Sequence, residues 1–209
     1  MERPIRNWLL SHSQAYSTFR SLIAQRGGAA RFVQRFVRAG AEDRILDIGC
    51  GPADLLAYFP ESVHYEGFDA NPGYIDHARR AYRDRDASFQ CQLVSQANLT
   101  APGSWDLVLA IGLVHHLDDA EAVQLFRLGH DALRPGGRMV TLDGVYVPEQ
   151  SRLARWIISC DRGRFVRSRE EYEALGRIAF DTLETTVEHR LLRMPYTHLI
   201  MELRKTGGA

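Results

Sequence analysis

The sequence predicts an α/β fold, a mostly parallel sheet with helices on both of its faces. Two observations carry that expectation. Between residues 44 and 143, short apolar runs of strand length alternate with stretches of helical period, the pattern of strands joined by right-handed crossovers. Near the end, residues 185–194 and 197–204 read as two strands separated by Pro195 and Tyr196, an antiparallel hairpin that closes the sheet.

The elements follow in order. Tyr16, Phe19, Leu22 and Ile23 fall on one helical face, and Gly27 and Gly28 stop that helix. Phe32, Val33, Phe36 and Val37 mark a second helix, ended near Gly40. Residues 44–47 and 63–68 read as the first two strands. Asn71 then caps a helix with Pro72 at its first position and Tyr74, Ile75, Ala78 and Tyr82 on one face. Residues 87–93 alternate and are rich in polar side chains, which suits a strand near an edge. Residues 105–111 are the clearest buried strand. Asp118 or Asp119 caps the next helix, whose inner side carries Val123, Phe126, His130 and Leu133. Pro135, Gly136 and Gly137 turn the chain into a fifth strand at 138–143, and 148–179 reads as a helical insertion.

A chain of 209 residues suits one domain, 1–209, with a sizeable core. Its parts are an N-terminal helical lid (1–40), a ligand-binding core (44–143), a helical cap (148–179) and the closing hairpin (185–204). Apolar residues make up 45% and charged residues 25%, as in a soluble globular protein. Basic and acidic residues number 26 each. A net charge of zero argues against a protein held to nucleic acid or membrane by bulk charge. Lys205 is the only lysine, so Schiff-base chemistry has almost no candidate. Cys50, Cys91 and Cys160 form neither a disulfide framework nor a zinc pair, and no metal site is expected. Residues 1–10 lack the apolar run of a signal peptide, and 107–114 is too short to span a bilayer, so a reduced cytoplasmic setting is the expectation.

The densest signal is the run from Ile45 to Asp54, where a strand leads into Gly49, Cys50 and Gly51. Glycines permit a tight turn and a close backbone approach to a ligand, and open parallel sheets bind ligands at such strand ends. A dinucleotide site wants a third glycine and backbone N–H groups facing a pyrophosphate. Here Asp54 stands in the third position and Asp47 just before the first glycine. Two carboxylates repel a pyrophosphate but suit an ammonium or sulfonium. Asp69, at the end of the second strand, can accept hydrogen bonds from ribose hydroxyls. Cys50 reads as a small buried residue rather than a nucleophile.

At these residues the chain resembles the class I S-adenosylmethionine-dependent methyltransferase family. Residues 45–51 match its first motif, 67–69 its ribose-binding strand end, and 105–108, 115–117 and 133–137 its later landmarks. The resemblance implies a Rossmann-like sheet of seven strands, one antiparallel, and S-adenosylmethionine as cofactor with S-adenosylhomocysteine as product. It places Asp47, Gly49 and Gly51 beside the methionine part, Asp69 on the ribose and Ala70 beside the adenine. Ala110, Ile111 and Gly112 line the floor beneath the sulfonium. The family often places an acid after strand three to bind the adenine amino group. This chain has none there, and Ser95, Gln96 or a backbone carbonyl substitutes. Tyr16 and Arg20, one turn apart, are candidates to reach the cofactor carboxylate.

Methyl transfer is an in-line displacement for which alignment supplies most of the catalysis. A base helps where the acceptor must lose a proton. His115, His116, Asp143 and Tyr146 lie at or just beyond strand ends. The histidines read either as a base or as a structural turn, and Asp143 either positions a nucleophile or ends its strand. Nucleic-acid amino methyltransferases of this fold typically carry an Asn- or Asp-Pro-Pro-Tyr loop, absent at 112–116, and no cysteine stands beside a proline as in cytosine C5 enzymes. A small-molecule acceptor is expected, not nucleic acid. Arg152, Arg155, Arg162, Arg164, Arg167 and Arg169 read either as an anion-binding cap or as a solvated face paired with Glu170, Glu171 and Glu173. Two other functions stay open: a non-catalytic cofactor-binding module of this fold, and an NAD-dependent oxidoreductase, disfavoured by Asp47 and Asp54.

Overall fold

The computed structural model describes residues 27–93, 99, 101–160, 163–189, 191–192 and 194–207. Tyr16, Arg20, Ser95, Gln96 and the first predicted helix lie outside the described residues. A helix α1 (Gly28–Phe32) widens into π turns over Val33–Val37 and stops at Arg38, in the left-handed region with φ 43°. Phe32, Val33, Phe36 and Val37 are all buried, as the periodicity predicts. Arg138, on the central sheet, donates to the carbonyls of Phe36, Val37 and Arg38. Residues 28–38 are therefore fixed to the sheet and form part of the core.

The strands are β1 (Arg44–Ile48), β2 (His64–Asp69), β3 (Ala87–Cys91), β4 (Trp105–Ile111), β5 (Leu133–Tyr146), β6 (Arg167–Ser168), β7 (Thr182–Glu188) and β8 (His198–Arg204). The helices after α1 are α2 (Pro72–Ala81), α3 (Asp119–Ala132), α4 (Arg152–Cys160) and α5 (Arg169–Gly176). The main sheet runs β3-β2-β1-β4-β5-β8-β7, and β6 adds a short parallel pairing to β5. β1 to β5 are parallel, and β8 is antiparallel to both of its neighbours. The expected seven strands with one antiparallel member are thus present, with β6 as an eighth.

One face of the sheet carries α1, α2 and α4 over Ile45, Tyr65, Leu107, Leu109, Val140 and Leu142. The other carries α3 and α5 over Leu46, Ile48, Phe68, Val108, Ala110 and Met139. Local chemistry sets the helix starts. Asn71 Oδ1 accepts from the N–H groups of Gly73 and Tyr74. Asp118 and Glu121 form a reciprocal capping box on α3, which settles the choice between Asp118 and Asp119.

Some details differ from expectation. The inner side of α3 is Ala122, Leu125, Phe126, Gly129 and Ala132, with Val123 and His130 at its margin. Small residues win because the helix lies close on β5: a Cβ at Gly129 would stand 2.5 Å from Met139 Sδ. β3 stops at Cys91, two residues early. β5 pairs from Leu133, with a register irregularity between Trp105 and Leu107 of its neighbour β4, and continues to Tyr146. The final hairpin is not turned by Pro195 and Tyr196 alone. Residues 189–197 connect β7 to β8, because Leu191, Leu192 and Tyr196 turn into the core beside Ile158 instead of pairing. The insertion is not wholly helical, since β6 interrupts it.

Candidate active site

β1 lies between β2 and β4, where the strand order reverses direction, and such a point opens a crevice at the strands' carboxyl ends. The Gly49–Gly51 bend fills that position. Gly49 (φ 78°) and Gly51 (φ 56°) adopt left-handed backbone that side-chain-bearing residues rarely tolerate. The N–H groups of Gly49 and Cys50 donate to Phe68 O at 2.8 and 3.0 Å. Gly51 N–H donates to Asp69 Oδ2 at 3.0 Å and Asn71 N–H to Asp69 Oδ1 at 2.8 Å. One carboxylate thus ties the bend of β1 to the end of β2, and each of its oxygens keeps a further lone pair for a ligand.

Asp47 is 3% exposed. Tyr65 donates its hydroxyl hydrogen to Asp47 Oδ2 at 2.7 Å. Oδ1 has no hydrogen-bond partner among the described residues. A buried carboxylate oxygen left unpaired is costly. Burial pushes the Asp47 carboxyl up to about 7, opposed by the Tyr65 bond and reinforced by the charge of Asp69. Burial also raises Asp69, against the pull of the Asn71 and Gly51 N–H groups. The Cys50 thiol is driven well up by burial and then by Asp47 and Asp69, so it stays protonated and is no nucleophile. Among the described residues no positively charged side chain pairs with Asp47 or Asp69. A ligand bearing an ammonium and a sulfonium supplies both the missing partner and that charge, so these residues fit S-adenosylmethionine.

Ala70 follows Asp69 and is partly buried. The side chain of Ala110 packs into the core beneath α3, so only its backbone is available to a ligand. Ile111 and Gly112 are partly exposed at the end of β4, where Gly112 (φ 68°) donates to Leu142 O at 2.7 Å.

Across the crevice, His115 and Asp143 are brought together, and both are buried. Asp143 Oδ1 accepts from His115 N–H at 3.1 Å and lies 2.8 Å from His115 Nδ1. His116 is buried and its ring stacks on that of His115 at 4.0 Å. Gly163 closes over the pair: a Cβ there would stand 2.3 Å from His115 Cδ2, so only glycine lets the chain pass. Phe165 N–H donates to His115 O at 3.0 Å. Sequence reasoning missed His198, whose signal was a lone imidazole in an apolar strand. It is buried beside Tyr196, ring centroids 4.7 Å apart, and burial and then the proximity of His115 hold its pKa down to about 3.

The described cap arginines do not act together. Arg167 is buried and donates to Asp119 Oδ1 at 3.0 and 2.7 Å, and to the carbonyls of Val114, Leu117 and Phe165. It stitches the cap to the turn after β4 and is not free for an anion. Arg169 bonds Glu173 one turn on. Arg162 lies outside the described residues. Arg152, Arg155 and Arg164 remain exposed. Among the described residues no cluster of histidine, cysteine or acidic side chains could hold a metal, and no helix is long and apolar enough to cross a membrane.

Residues 45–137 match the model of a family described as a methyltransferase domain. No curated protein matches the sequence. Solved structures share the fold. The chain is similar to a geranyl diphosphate C-methyltransferase from Streptomyces coelicolor, crystallised with S-adenosyl-L-homocysteine (TM-score 0.64, 15% identity, 98% of this chain and 91% of that one). It is also similar to a SAM-dependent methyltransferase from Methanosarcina mazei (0.61, 18%, 81% and 95%). A third similar structure is the cyclase SpnF (0.64, 16%, 86% and 81%), so the architecture alone does not dictate the reaction. With the strand order and the acidic glycine bend, this match marks residues 45–137 as a methyltransferase domain.

Proposed function

We propose that this enzyme transfers the methyl group of S-adenosylmethionine to a small-molecule acceptor by in-line displacement. The observation that carries the reading is Asp47: a buried carboxyl with one oxygen unpaired, beside Asp69, at a glycine bend in the sheet's crevice. When bound, the cofactor supplies an electrophilic methyl on a good leaving group. Asp47 faces its cationic methionine part, and Asp69 takes the ribose hydroxyls while holding Gly51 in place.

On the acceptor side, His115 receives the proton that the acceptor loses as its bond to the methyl carbon forms and the carbon–sulfur bond breaks. Asp143 holds His115 Nδ1 and so leaves Nε2 as the basic nitrogen. His116, stacked behind, fixes the plane of the ring. The segment 148–179 caps this side through Gly163, Phe165 and Arg167, an enclosure suited to a small acceptor. The turn at Val114–His116, buried and without a base-clamping motif, also favours a small molecule over nucleic acid.

Incubation with methyl-labelled S-adenosylmethionine and separate pools of small metabolites, nucleotide sugars and RNA tests the reading. Label is expected in a small-molecule pool. Label confined to RNA, or cofactor binding with no transfer into any pool, contradicts it.

A further inference from the structure

Helix α4 follows the carboxyl end of β5, the strand bearing Asp143 and Tyr146, after the five residues 147–151. Ala154 and Ile158 bury one side of it. Its other side is apolar too: Leu153 is 54% and Trp156 63% exposed, an unusual display for two large side chains one turn apart. Arg152 and Arg155 share the turn with Trp156, at i, i+3 and i+4. The Arg155 guanidinium sits 4.8 Å over the ring of Tyr146, within cation–π range. Among the described residues no carboxylate lies within ion-pair distance of Arg155, unlike Arg167 and Arg169 on the same cap. A guanidinium held over a ring keeps its fork of N–H donors in plane, which suits bidentate capture of a carboxylate or phosphate.

We infer that Arg155, mounted on Tyr146, binds the anionic group of the methyl acceptor, and that Leu153 and Trp156 cover the acceptor's apolar part. The acceptor class is a soluble amphiphilic anion, an apolar body bearing a carboxylate or phosphate. Charge complementarity selects this occupant, since a neutral apolar molecule leaves Arg155 and Arg152 unanswered. The inference deepens the proposed methyl transfer and rests on it.

Octyl phosphate below its micelle concentration serves as the probe, with octyl glucoside and octyltrimethylammonium as neutral and cationic counterparts. The full chain is saturated with S-adenosylhomocysteine, and tryptophan emission is the readout. Trp156→Phe subtracts the contributions of Trp8 and Trp105. Octyl phosphate is expected to blue-shift the Trp156 signal at concentrations where the other two do not. Arg155→Gln is expected to weaken octyl phosphate about ten-fold or more, as loss of charge-assisted hydrogen bonds requires, while the melting shift from S-adenosylhomocysteine persists and reports the fold intact. Equal responses to all three amphiphiles, or an unchanged Arg155→Gln, overturns the inference. So does binding to phosphatidylglycerol vesicles without binding to monomeric octyl phosphate, which marks a membrane-docking face. Each of these outcomes leaves cofactor binding intact. Absence of a shift with S-adenosylhomocysteine itself removes the underlying reading instead.

Discussion

The Tyr65 hydroxyl donates to Asp47 Oδ2 at 2.7 Å between neighbouring strands, and it is the one hydrogen bond that this carboxyl receives among the described residues. A half-satisfied buried acid is poorly placed in the free protein and well placed once a cation arrives. Function and stability therefore pull on Asp47 in opposite directions.

Cofactor affinity depends on the protonation of Asp47. With its pKa at about 7 in the free protein, pairing Asp47 with a ligand's ammonium group below that pH must expel a proton. Affinity for S-adenosylhomocysteine, measured by calorimetry in buffers of different ionisation enthalpy, is expected to fall by up to about ten-fold per pH unit below 7 and to level off above it. A flat profile from pH 5.5 to 8.5 contradicts this role. Tyr65→Phe removes the one bond favouring the carboxylate and moves the break in the profile to higher pH.

Asp47 and His198 act oppositely on stability. Asp47 rises from 3.8 to about 7 on folding, so the folded state keeps a proton the unfolded chain has lost. Its contribution is present at low pH and lost as pH rises toward 7. His198 falls from 6.5 to about 3, so the unfolded chain holds the extra proton. Its contribution is present above pH 6.5 and lost as pH falls. The two offset each other between about pH 4 and 6.5. Asp47→Asn in the unliganded protein is therefore expected to melt higher than the parent at pH 7.5 and to gain stability more steeply with rising pH. Superimposable melting profiles for the two proteins would falsify this account of the pair.

Arg167 joins the cap to the turn after β4 through Asp119 and three carbonyls. Arg167→Ala leaves the buried Leu117 carbonyl without this donor and breaks the bonds to the exposed Asp119, at an expected cost of about 1–3 kcal/mol in urea unfolding. Lysine lacks the planar fork and restores only a minor part. A loss below about 0.5 kcal/mol, the range of ordinary surface substitutions, shows the contacts to be incidental.

The His115–Asp143 pair separates catalysis from binding. Asp143→Asn cannot hold the same tautomer of His115, and kcat is expected to drop about 10²–10⁴-fold, the usual worth of a general base. Affinity for S-adenosylhomocysteine stays unchanged, and the pH dependence of kcat flattens. Gly163→Ala, which drives a methyl group into the His115 ring, is expected to lower kcat in the same direction. Full turnover in Asp143→Asn assigns the pair a purely structural part.

What the sequence revealed was what depends on neighbours in the chain. Asn71 with Pro72, and Asp118 with Glu121, mark helix starts by chemistry within one turn. Asp47, the two glycines and Asp69 form a cradle whose logic is charge and backbone freedom at a strand end. Contacts across long separations were hidden. Nothing near Arg167 in sequence points to Asp119, and its neighbours in charge suggested an anion site that the fold spends on its own carbonyls. The Tyr65–Asp47 bond depends on the register of β1 against β2, and His198 on the register of β8 against β5. The face of α3 was misplaced because Gly129 and Ala132, weak in an apolar pattern, permit the closest helix–sheet approach.

Calorimetric titration of S-adenosylhomocysteine at pH 8 into the parent protein and into Asp47→Asn and Asp69→Ala tests the acidic cradle most directly, with NAD titrated in parallel. The account predicts saturable 1:1 binding of S-adenosylhomocysteine to the parent, weakened by roughly 1–3 kcal/mol in Asp69→Ala and weakened also in Asp47→Asn, and no heat from NAD. Equal affinity in all three proteins, or binding of NAD in place of S-adenosylhomocysteine, contradicts it.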